Sequence, residues 1–221
     1  MKKLICFIGI IPLLLSCEIA DDVIDADRIY SHYELRYERY KDKTIVKAVL
    51  RLDGPEGIFV ELTEPAEISF NGNHLAFNPE NKQHLTTYTS LVDSGTFKYI
   101  RNDGKFIINS TPKLKEITFP SIDSISRSKN LIIKWIGDPV GTYETVLLTL
   151  EGSERAITYR SSEQGATMFI IPASEIKSLD KYGTGIFRLQ RIYSNYINTG
   201  AATGASMTVK YITYGFINFI N

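Results

Sequence analysis

Cysteine is almost missing from this chain: 221 residues contain two, Cys6 and Cys17. No disulfide framework and no four-cysteine zinc site can be built from that supply. Histidine is nearly as scarce, at three. His74 and His84 could meet across adjacent strands as a metal pair and His32 stands apart, but a lone hydrogen-bonded histidine is the commoner arrangement, so no metal and no cofactor are expected. The GxSxG elbow of serine hydrolases, the HExxH of zinc proteases and the GxxxxGK phosphate loop are all absent from the sequence, which leaves catalysis without a local motif. Neither sign of charge is in surplus, with 25 basic and 25 acidic residues. Nucleic acid, which demands a basic face, is therefore not an expected partner. Long hydrophobic runs are lacking too. The longest, residues 4–15, holds about a dozen residues interrupted by Gly9 and Pro12, whereas a membrane-spanning helix needs about 20.

What is present starts at that run. Met1, Lys2 and Lys3 precede it and Leu14, Leu15, Ser16 and Cys17 end it, the pattern of a signal peptide removed on export. These four residues match the lipobox, a resemblance to bacterial lipoproteins that covers the first 17 positions. It implies cleavage before Cys17 and diacylglycerol on the Cys17 thiol. Two or more acyl chains hold a protein stably at a bilayer, so Cys17 would be the membrane anchor. With Cys6 discarded, no disulfide partner remains for it, and the 205 residues that follow cleavage must gain their stability from a core. Glu18, Asp21, Asp22, Asp25 and Asp27 then form an acidic tether that repels anionic headgroups. Acid directly behind the lipidated cysteine resembles the export signal of Bacteroidota surface lipoproteins, which implies residence in the outer membrane and display at the cell surface. Asp123, Ser124 and Ile125 resemble the O-glycosylation signal of exported Bacteroidota proteins.

Thirteen tyrosines and eleven phenylalanines favour sheet over helix. YSHYELRYERY has its tyrosines at helical spacing, but it also alternates, with Tyr33, Leu35 and Tyr37 against His32, Glu34, Arg36 and Glu38; the strand reading is preferred because TIVKAVLRL alternates directly after it. Asn71-Gly72 and Asn102-Asp103-Gly104 mark tight turns, the second inside the clearest hairpin, GTFKYIR with KFIINS. Pro112 and Pro120 bracket a boundary. Beyond it strands recur every 10 to 15 residues or so in the manner of a β-sandwich, with a short helix over 173–181 capped by Ser174. SNYINTGAATGAS, residues 194–206, reads as a long loop.

The expected architecture is therefore all-β: a cleaved lipoprotein signal peptide over 1–16, a lipidated tether over 17–27, and two antiparallel immunoglobulin-like β-sandwich domains in tandem over 28–112 and 113–221. The layout resembles Bacteroidota lipoproteins of unassigned role, and the resemblance implies that Trp135 packs between the sheets of the second sandwich. Tyrosine rings stack on sugars and anchor interfaces, so Tyr193 and Tyr196 beside Arg188 and Arg191 are the candidate binding residues. Arg191 interrupts the apolar face of FRLQRIY and is placed at the sheet's rim. Tyr30, Tyr33, Tyr37 and Tyr211 are read as core or ladder residues. The expected function is a non-catalytic, lipid-anchored module of the outer membrane that binds a glycan or an envelope protein. The alternative is an envelope hydrolase or glycan-active enzyme whose carboxylates, Glu144 and Glu163, converge only in the fold.

A Cys17→Ser chain should fail to sediment with outer membranes when cell envelopes are fractionated. Normal sedimentation would remove the lipid from the account.

Overall fold

Period-two alternation becomes strand almost wherever it occurs. The computed structural model describes residues 25–122, 124–152, 155–179, 183–198 and 203–220; the signal segment, Cys17, Asp123 and the tether before Asp25 lie outside these. Asp25 and Asp27, expected in the tether, already belong to the folded body. The Asp25 carboxylate accepts from the Asp27 N–H at 3.0 Å, and Asp27 pairs with Arg101 at 2.7 Å.

The first half forms β1 (Ile29–Glu38), β2 (Lys43–Leu52), β3 (Ile58–Phe59), β4 (Glu67–Phe70), β5 (Asn73–His74), β6 (Ala76–Asn78), β7 (Gln83–Tyr88), β8 (Thr96–Ile100) and β9 (Phe106–Ser110). The second forms β10 (Ser124–Ser126), β11 (Leu131–Lys134), β12 (Glu144–Glu151), β13 (Ala156–Ser161), β14 (Met168–Ile171), α1 (Ala173–Ile176), β15 (Gly183–Ile197) and β16 (Ala205–Ile220). The YSHYELRYERY stretch is strand through Glu38 and closes in a single 3-10 turn over Arg39–Lys41. Asn71 and Gly72 both take positive φ, 48° and 80°, as the tight β4–β5 turn requires. The expected loop over 194–206 is shorter than its composition suggested, because β15 runs to Ile197 and β16 starts at Ala205. Ser174 does not cap α1. Pro172 holds the N-cap position, and the Asn130 side chain reaches across to accept from the Ala173 N–H at 3.0 Å. Among the described residues no helix is long and apolar enough to cross a membrane.

Among the described residues ten strands make the largest sheet, in the order β13-β12-β15-β16-β1-β2-β7-β6, with β3 on β2 and β10 on β16. The expectation of purely antiparallel sheets fails here. β1 runs parallel to β16 from Ser31–Ala205 to Glu38–Ile212, and β10 runs parallel to β16 as well. No hairpin links the two ends of the chain, so nothing local dictates the direction of their pairing, and each strand needs a partner for its backbone N–H and C=O groups. The sheet is thereby continuous across the segment that joins β9 to β10.

Two smaller sheets, β5-β4-β8-β9 and β11-β14, share one hydrophobic core with the large one. Odd positions of β1 point inward, and Tyr33 of β1 meets Phe97 of β8 at 4.7 Å between ring centres. Even positions of β2 do the same, leaving Val46, Ala48 and Leu50 buried. In the second half Ile133, Phe169 and Ile171 are buried with Leu148, Leu150 and Phe187, and Trp135 is buried beside Phe169 at 5.4 Å. Gly215 is required where it stands, because a Cβ there would lie 2.3 Å from the Phe119 ring that packs on Phe187. The other face of β1 is buried too. Glu34, only 2% exposed, is enclosed by Lys210 at 2.7 Å, Lys47 at 3.3 Å and Arg36 at 3.6 Å, so the alternation that looked half-solvated is capped by interlocked charged side chains.

Removing buried methylenes at a well-packed position costs about 2–5 kcal/mol. Leu35→Ala, in the first half, should lower the unfolding midpoint read by fluorescence of Trp135, the single tryptophan of the chain, in the second. An unchanged Trp135 transition would show that the shared sheet does not couple the halves.

Candidate functional site

Two charged residues stand on otherwise apolar strand faces. On β12, Glu144 lies on the side of Val146, Leu148 and Leu150; on β15, Arg191 lies on the side of Phe187 and Leu189. The register sets Glu144 opposite Tyr193 and Val146 opposite Arg191, so the two charges are diagonal neighbours across adjacent strands. Arg191 Nη1 donates to Glu144 Oε2 at 2.7 Å, and both side chains are almost wholly buried. Arg191 also donates to the carbonyls of Pro139, at 3.2 Å, and Asp138. Glu144 Oε2 accepts from the Gly141 N–H at 2.8 Å, and Oε1 takes the Lys115 ammonium at 2.8 Å. Burial by itself would raise the Glu144 pKa. The Lys115 ammonium, the Gly141 N–H and the Arg191 guanidinium outweigh it and hold the carboxyl below the ordinary glutamate value.

This cluster forms one wall of a pocket of about 160 Å³. Residues 112–115 cross its mouth on the way from β9 to β10. Leu114 anchors them, buried and bonded through its N–H to the Asp93 carbonyl at 2.6 Å. Lys113 and Lys115 flank that anchor and line the pocket with Arg191, Tyr193 and Tyr211. Three cations thus face one carboxylate. Lys113 has a surface partner in Asp93 at 3.3 Å, a contact of the weak, salt-screened kind. Tyr211 is fixed by donating to Glu116 Oε1 at 3.0 Å; burial and that carboxylate push its pKa up to about 12. Across the rim, Tyr143 holds φ at +62° and presents an exposed ring edge-on to Tyr193 at 6.2 Å. Positive φ is uncommon for so bulky a residue, and such backbone tends to gather at binding sites.

The four candidate binding residues divide between the two faces of β15. Arg191 and Tyr193 meet at the pocket. Arg191 is not at a rim, since β15 lies inside the sheet between β12 and β16 and the side chain is 3% exposed. Arg188 and Tyr196 point the other way, separated by about 26 Å at 3.3 Å per residue. Arg188 pairs in register with Tyr214, next to the exposed Phe216, whereas Tyr196 lies opposite Ser206 and is 81% exposed. There Ser206 Oγ accepts from Tyr30 Oη and contacts His32 Nδ1, both at 2.7 Å. Burial lowers the His32 pKa, which keeps the ring neutral. Tyr30, Tyr33, Tyr37 and Tyr211 are buried. His74 and His84 sit on different sheets, His74 exposed and His84 buried against Phe77. Among the described residues no three His, Cys, Asp or Glu side chains gather as a metal site. Glu163 lies exposed in the turn after β13 and is not among the partners of Glu144.

Sequence reasoning missed Lys113, Lys115 and Tyr211. A readable signal existed for the pair beneath them, one opposite charge on each of two apolar strand faces, since buried charges are almost always paired. Breaking a buried pair from one side costs about 3–5 kcal/mol. Because the Glu144 pKa is depressed on folding, its contribution is complete above the ordinary carboxylate range and is lost as pH falls through the folded value. Glu144→Gln should therefore be destabilised by about 3 kcal/mol at neutral pH, with the gap closing in acid, as read by denaturant unfolding. An equal gap at both pH values would show that the charge is not what matters there.

No protein-family model matches this chain and no curated protein matches it either, so its function has to be argued from the chemistry of the pocket.

Proposed function

We propose that this chain is a non-catalytic lipoprotein, anchored through lipid on Cys17 to an outer membrane, whose two immunoglobulin-like sandwiches are fused through one sheet and bind a glycan or an envelope protein at their seam. The observation that carries the binding role is the pocket itself: about 160 Å³ walled by Tyr193, Tyr211, Lys113, Lys115 and the Arg191–Glu144 pair. Whole drug-sized ligands fill sites of about 300–1,000 Å³, while a cavity of roughly 150 Å³ accepts a single six-membered ring. The pocket therefore suits one end group of a larger partner, which fits display on a surface. Glu144 supports a binding role over catalysis. Its carboxylate is held ionised by two cations and a backbone N–H, the state of a fixed anchor; a glycosidase acid needs a raised pKa and a second carboxyl some 5–10 Å away.

Thr142 lines the pocket from an exposed position, so Thr142→Trp should plug it without touching the buried pair. On an array of bacterial envelope glycans and proteins, the detergent-solubilised full chain should show saturable binding that the Thr142→Trp chain loses. Equal binding by both chains would remove the pocket from the function.

A further inference from the structure

We infer that the group accepted by the seam pocket is an acidic pyranose, a sugar ring carrying a carboxylate, with the ring against Tyr193 and the carboxylate on Lys115 and Lys113. This rests on the seam pocket being the binding site and adds the class of ligand.

The charge count comes first. Among the lining side chains three are cationic and one is anionic. Arg191 and Glu144 neutralise each other inside the wall at 2.7 Å. Two lysines remain at the mouth. Lys115 is 44% exposed and shares Glu144 with Arg191, and Lys113 is 77% exposed with only a surface partner. Lys113 holds only that surface contact and can turn to an incoming anion at little cost, while Lys115, paired with the buried Glu144, keeps a partly exposed side chain at the mouth that an anion can share with it. A carboxylate is thus matched by charge.

Shape supplies the rest. The volume admits one ring. Tyr193 offers an amphipathic face, braced edge-on by Tyr143, and such faces suit the C–H side of a pyranose. Among flat ring-sized groups, a sugar acid uses the aromatic wall and the cations together, whereas inorganic phosphate would use the cations alone.

So small a ligand should bind with a Kd on the order of 1 mM. Saturation-transfer NMR and calorimetry on the detergent-solubilised full chain would compare D-glucuronate, methyl glucuronate ester, glucose and inorganic phosphate. Glucuronate should bind and lose affinity as salt is raised. The ester, glucose and phosphate should each bind about tenfold more weakly or not at all. Lys113→Gln, at an exposed position clear of the buried pair, should weaken glucuronate by about tenfold with the unfolding midpoint nearly unchanged, and Lys115→Gln should weaken it similarly while lowering the midpoint through lost support of Glu144. Tyr193→Ala should weaken glucuronate and leave phosphate unaffected. Glucose or the ester binding as well as glucuronate, with loss in Thr142→Trp, would overturn the acidic-sugar assignment while leaving the pocket as the site. Phosphate binding as tightly as glucuronate would reduce the site to a simple anion hole and overturn it too. Failure of all four probes, or of the lysine substitutions to affect glucuronate, would overturn it; glucuronate binding untouched by Thr142→Trp would sink the pocket reading itself.

Discussion

The parallel pairing of β1 with β16 is the constraint from which the rest of this structure follows. The first and last described strands share one sheet, so each covers a backbone edge that the other would leave unpaired. The inward positions of β1, β2, β16, β15 and β12 then form one surface, and the two smaller sheets are buried against it in a common core. A chain joined in this way must carry its crossing segment from β9 to β10 over the shared sheet. Residues 112–115 make that crossing, and the space left beneath them, against Tyr193, Val209 and Tyr211, is the pocket. The pocket's geometry is thus a by-product of how the crossing segment is laid over the sheet.

Buried charge is handled differently on the two faces of the sheet. Inside, Glu144 and Arg191 form a close pair that also engages the Lys115 ammonium, the Gly141 N–H and the Asp138 and Pro139 carbonyls. Such a pair contributes little net stability compared with apolar residues, because desolvation consumes most of the attraction. What it does secure is position: Arg191 ties the 138–141 loop to β15, and Trp135 donates to the same Asp138 carbonyl at 3.1 Å, so the rim is held by a donor from each side. Outside, Glu34 is surrounded by Lys210, Lys47 and Arg36, whose long stems cover it. Burial opposes ionisation there, but the cations prevail and its pKa is lowered. That network closes the outer face over the junction between β1 and its two neighbours, β2 and β16.

Alternation made most of the strands legible. Tyr33, Leu35 and Tyr37 were assigned to one face of β1, and Asn71-Gly72 and Asn102-Asp103-Gly104 to turns, because each is dictated by residues adjacent in the chain. The pocket was half visible. Arg191 and Tyr193 stood out as a cation and an aromatic two residues apart on one strand, but the same stretch also offered Arg188 and Tyr196, which the even positions of β15 direct to the opposite face. Lys113 and Lys115 carry no local mark; they look like ordinary surface lysines until the crossing segment is laid over the sheet. Over 194–206 Gly, Ala, Ser and Asn suggest a long loop, whereas pairing between β15 and β16 draws several of those residues into strand.

What the sequence determined by itself was an all-β chain, because hydrophobic period and turn chemistry act over a few residues. The tertiary structure alone decided that the sheet is mixed, that β1 and β16 lie side by side, and that Arg191 is an inner brace and not a rim contact. Those outcomes depend on groups brought together from 47 to 176 residues apart, where no local periodicity reaches and only the need to pair backbone and bury charge selects the arrangement.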